Sequence, residues 1–203
     1  MILPLPVALN VREPLRFINL ENCPSFFERL WRAFHPPGQV RGDDLLGGND
    51  MIDVEQVGDY VASFVPSVAD FSRIAPVFRL SDQTWEQIPV YKDFGFAVFQ
   101  LKPGKQKPHP MAFEFARRDE NRLFFPTIHI HDGKVHANAN FDHRLYCQRL
   151  QYEQLDDWSE SPTPAENIFS RSEMTQAGGL LEGTHHVYAR RLIGALPNQD
   201  IIV

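Results

Sequence analysis

His129, His131 and His136 are the residues of this chain whose type and spacing could do chemistry; they lie in the run NRLFFPTIHIHDGKVHANANFDHRLYC from Asn121 to Cys147. Imidazole nitrogens ligate zinc and other divalent transition ions. Three of them with water in a fourth position form a catalytic arrangement, in which the metal lowers the water's pKa and supplies hydroxide for hydrolysis or hydration. Whether these three meet depends on how the backbone pairs. Asp132-Gly133 suits the positive φ values of a type I′ turn, and apolar/polar alternation runs into it and out of it, so the stretch reads as a two-residue hairpin over 123–142. In that register His129 faces His136, His131 faces Lys134, Ile128 faces Ala137 and Phe124 faces Phe141. One face then carries Phe124, Ile128, Ile130, Val135, Ala137, Ala139 and Phe141. The other carries Thr127, His129, His131, Lys134, His136, Asn138, Asn140 and Asp142. His129 and His136 would stand roughly 5 Å apart between Cβ atoms, with His131 about 7 Å away on the same side. Asn138, Asn140, Asp142, His143 and His109 are the candidates to complete this face, as a further ligand, as groups that orient an imidazole, or as polar contacts for a bound molecule.

The same residues have a reading without metal. A hairpin with one buried face must put polar groups on the other, and histidine serves there as well as threonine or asparagine. Lys134 beside His131 opposes a dication unless its stem carries the ammonium away into water. The leading expectation is therefore a non-catalytic binding or structural domain, its ligand or protein partner on the polar face of the 123–142 hairpin. The alternative is a metal-dependent hydrolase or lyase that uses the three histidines with zinc or another divalent transition ion. The spacing H-x-H-x4-H decides neither.

The remaining chain must position this stretch. With 203 residues, 43% of them hydrophobic and 23% charged, it is long enough for one substantial core and short for two. A net charge of −6, with basic residues clustered no further than pairs such as Arg117-Arg118 and Arg190-Arg191, leaves no footprint for a phosphate backbone, so no nucleic-acid partner is expected. No apolar run reaches the roughly 20 residues that cross a bilayer, and the N-terminus lacks a basic leader, so a cytoplasmic protein without a membrane partner is expected. Two cysteines, Cys23 and Cys147, are too few for a disulfide framework and read as reduced thiols.

Pro4, Pro6 and Pro14 mark residues 1–22 as an extended segment packed on the body. Pro24 followed by Phe27, Leu30, Trp31 and Phe34 predicts a core-facing helix over 24–35. Residues 36–50 read as a surface loop. Short strands are expected over 51–57 and 59–65 around Gly58-Asp59, then short turns capped by Ser67 and Ser81. Phe94–Leu101 is apolar on both faces and predicts a central strand. Residues 111–116 alternate and could extend the sheet by pairing with 123–131, although Pro126 suits an edge better. Residues 145–155 fit strand or helix. Thr163-Pro164-Ala165-Glu166 is a capping box that opens a helix ending at Gly178-Gly179. Beyond it come a strand from His185, a turn at Pro197-Asn198 and a buried apolar tail. No G-x-S-x-G elbow, H-E-x-x-H, P-loop or dinucleotide fingerprint is present. The expected architecture is α+β: a mainly antiparallel sheet of six to eight strands, with two or three helices packed against it, in a single domain over 1–203.

Overall fold

Proline fixes φ and donates no backbone hydrogen bond, so Pro4 and Pro6 confine the N-terminus to extended chain at a sheet edge. In the computed structural model, which describes residues 1–35, 55–104, 108–130, 133–148 and 155–203, strand β1 (Ile2–Leu5) is that edge. Strand β2 (Leu15–Asn19) follows after the irregular residues 6–14, so the N-terminal segment contributes ladder strands to the body. The described part of the 51–57 strand is β3 (Glu55–Val57), which turns through Gly58 into β4 (Tyr60–Val65). Strand β5 (Gly95–Leu101) completes a four-stranded antiparallel sheet in the order β1-β5-β4-β3.

The two-sided apolar pattern of β5 is explained by what covers it. Phe96 and Val98 point into a cluster with Phe71, Ile74, Ile88 and Tyr91, contributed by 3₁₀ turns at Val68–Arg73 and Pro89–Tyr91 and by the segment between them. Ala97 and Phe99 point into the opposite cluster, where Phe17 and Phe113 pack from β2 and β6 (Met111–Phe115). Strand β6 pairs with β2, not with residues 123–131. The far side of that pair, Ile18 and Ala112, is covered by helix α1 (Phe26–Phe34) and by the helices near residue 170.

Helix α2 (Asp82–Gln87) begins at Ser81, whose hydroxyl accepts from Thr84 N as its sequence suggests. The helix expected over 164–177 is instead two: α3 (Ala165–Ile168) and α4 (Arg171–Gln176). Phe169, 2% exposed, takes an extended conformation between them and is buried in the core. The capping box is the one at Ser170 and Glu173; the 163–166 box is not formed. Two S/T-x-x-E signatures lie in tandem, and burial of Phe169 selects the second.

Strands β7 (Phe124–Phe125), β8 (Asn138–Cys147), β9 (Ser159–Glu160), β10 (Tyr188–Pro197) and β11 (Ile201–Ile202) form the rest. β8 pairs with all ten residues of β10, β9 joins β10's other side, and β7 pairs with β11. The 123–142 hairpin is thus corrected: Phe124 faces Ile202, and Phe141 faces Gly194. Side-chain alternation is satisfied by any partner of matching period, and here a ten-residue long-range ladder outcompetes a local turn. Gly133 keeps the positive φ expected of the turn, at 75°. The class is α+β with antiparallel sheets, and no helix among the described residues is long and apolar enough to cross a membrane.

Candidate functional site

Past Pro126 the chain leaves β7 with backbone donors unmatched by any strand, and the C-terminal turn supplies side chains instead. Thr127 N and Ile128 N donate to Asp200 Oδ1 at 2.8 and 3.1 Å. His129 N donates to Asn198 Oδ1 at 2.7 Å, while Asn198 Nδ2 donates to the carbonyls of His129 at 2.8 Å and His136 at 3.0 Å. The amide of Asn198 has one acceptor and two donors, and all are used. Tyr91 Oη donates to the other oxygen of Asp200 at 2.5 Å. Burial pushes Asp200 above the usual carboxylate range in spite of these three donors. Burial, then the bond to Asp200, pushes the Tyr91 phenol up as well.

A segment held this way has two faces. Phe124 and Ile128 line a cavity of about 600 Å³, against about 280 and 400 Å³ for two other pockets. Its walls are largely apolar, with Ile88, Phe94, Val135 and Ile202 among them, and the buried Tyr91 with the half-buried Asp200 is a polar point in it. Arg117, Arg118 and Arg122 stand along the same cavity. Arg117 donates to the carbonyls of Glu120 and Arg122, and Arg118 to those of Val7 and Asp93, its guanidinium over the Phe94 ring. Both therefore spend hydrogen bonds on neutral groups, and neither forms an ion pair with a carboxylate among the described residues. Arg122 meets Asp119 at 3.4 Å, both well exposed.

His129 faces the other way. Its ring stacks on Phe141 with centroids 4.6 Å apart and planes 24° from parallel, and its Nε2 lies 3.2 Å from Nε2 of His143. Phe141 and His143 are two residues apart on β8 and share a face, which brings an exposed histidine up to the half-buried one. Asn138, Asn140 and Asp142 alternate with them, exposed on the opposite face of β8 and turned away from His129. His136 is exposed and is tied to His129 through the shared Asn198. His131 lies outside the described residues. His109 is elsewhere and structural: it is 4% exposed, its Nε2 accepts from Asp59 N at 2.9 Å, and its Nδ1 donates to the Pro110 carbonyl at 2.8 Å. Gly58 is required beside it, since φ is +56° and a Cβ would come within 2.0 Å of that Nε2. Among the described residues no three His, Cys, Asp or Glu side chains gather as a metal-holding group.

Of the eight site residues read from sequence, the structure brings together His129 and His143. Sequence reasoning missed Tyr91, Asn198 and Asp200: Asn198 reads only as a turn residue, and nothing local says that its amide and the nearby carboxyl serve an irregular segment some seventy residues earlier. No family model, no curated protein and no solved structure matches this chain.

Proposed function

We propose that the protein is a non-catalytic binding domain whose ligand occupies the cavity on the apolar side of the 124–130 segment, not its polar side. The observation that carries this reading is the cavity of about 600 Å³, in the range of small-molecule sites, with largely apolar walls and the Tyr91–Asp200 pair as a polar point. Three arginines line it against two acids, Asp119 and Asp200, and that excess of positive charge complements an anion. The ligand class that fits is an apolar body with one carboxylate or similar acidic head. A cytoplasmic setting, with Cys23 and Cys147 both as thiols, belongs to the same reading. The competing metal-hydrolase reading needs His129, His131 and His136 on one ion, and of these His131 lies outside the described residues.

The test is titration with 8-anilinonaphthalene-1-sulfonate followed by displacement with decanoate and, separately, decanol. One saturable site is expected, from which decanoate displaces the dye better than decanol does. Val90→Trp, at a wall residue 65% exposed, should occlude the cavity without disturbing the fold. Arg122→Glu should weaken decanoate about fivefold, the scale of one exposed charge. Absence of a saturable site, or decanol competing as well as decanoate, sinks the reading.

A further inference from the structure

We infer that His129 and His143 form a two-imidazole chelate for a first-row divalent transition ion, with zinc, cobalt, nickel and copper as the class. Two imidazoles bound to one tetrahedral ion at zinc–nitrogen lengths have their nitrogens about 3.3 Å apart; the two Nε2 atoms stand at 3.2 Å. Those atoms therefore already lie at the spacing of one coordination edge.

Each ring is held by its backbone anchor and by a shared contact with Phe141, which is the pre-organisation a ligand pair requires. His129 is fixed from behind by its stack on Phe141 and at its backbone by both ends of the Asn198 amide. His143 rides on β8, registered against Leu192 within the long β8–β10 ladder, with its ring edge-on to Phe141 at 5.6 Å. The His143 side is exposed, so water or an added ligand can reach the ion from there. Neutral nitrogen donors select zinc-like ions over magnesium and calcium, which prefer oxygen. The site lies on the face of 124–130 opposite the cavity and stands or falls separately from the binding function proposed above.

The experiment is titration of chelator-treated, untagged protein with Co²⁺, read by visible absorption, and with Zn²⁺, read by calorimetry, alongside His143→Ala and His143→Cys. One ion per chain is expected. His143→Ala should weaken it more than tenfold, His143→Cys should retain it through a thiolate ligand, and Mg²⁺ in excess should not compete. Because His143 is exposed, the melting temperature of metal-free His143→Ala should equal that of the parent, so loss of binding is not loss of fold. No saturable ion, or an ion that His143→Ala leaves unchanged, overturns the inference and makes the contact an imidazole–imidazole hydrogen bond.

Discussion

The segment from Phe124 to Ile130 presents two faces of opposite character to two halves of the molecule. On one, Phe124, Ile128 and Ile130 meet the elements around residues 85–94, and the result is a cavity shaped by apolar walls with cations beside it. On the other, Phe125 and His129 meet β8 and β10, and the result is an open pair of imidazoles on an aromatic platform. The first can discriminate by shape and charge, the second by the direction of lone pairs. Both depend on one backbone strip, and that strip is held by the side chains of Asn198 and Asp200 in place of a third strand. Sites facing opposite ways thus share a single clamp.

Removing the clamp should have the largest effect. Asn198→Ala deletes three hydrogen bonds, to His129 N, His129 O and His136 O, and should cost about 3 kcal/mol in denaturant unfolding. Dye binding in the cavity and ion binding at the histidines should weaken together. Loss at one face alone would mean that the strip is not a common wall.

Tyr91→Phe is narrower, since it removes one buried donor and leaves Asp200 with only the Thr127 and Ile128 N–H groups. About 2 kcal/mol of destabilisation is expected, with the cavity affected and the histidine pair spared. The pH dependence follows from the same carboxyl. Burial raises Asp200 in the folded state, so the folded chain keeps that proton to higher pH than the unfolded chain does. The contribution is fully present below the ordinary carboxylate value of about 4 and is lost as pH rises through the raised folded value. Asp200→Asn should therefore flatten the difference in stability between about pH 4 and pH 7 relative to the parent. A parent that gains stability over that interval relative to the variant would contradict it.

Face and partner are different kinds of information, and only the first is local. Alternation around residues 124–135 placed Phe124, Ile128, Ile130 and Val135 on one side and His129 on the other, as the structure has them. It could not say which strand would pair there. Phe141, assigned to the apolar side through the hairpin register, lies instead under His129, because β8 took β10 as its neighbour. His143 left the margin of the site for its centre by the same change. Central burial of β5 was legible because no surface strand tolerates GFAVFQL on both faces. The break at Phe169 was not, since its cause is burial among residues distant in sequence.

The smallest effect should come from the platform itself. Phe141 is 4% exposed and carries the His129 ring, yet it touches neither the backbone clamp's hydrogen bonds nor the cavity's lining. Phe141→Leu keeps most of the buried apolar area and removes the ring contacts with His129 and His143, worth about 1 kcal/mol beyond burial. Stability should fall by about that amount. The freed imidazole then has rotamers to lose on binding, so zinc affinity should drop a few-fold while dye binding across the strip is unchanged. Equal weakening at both faces would assign Phe141 to the core and dissolve the distinction between a face built by packing and a face built by directional groups.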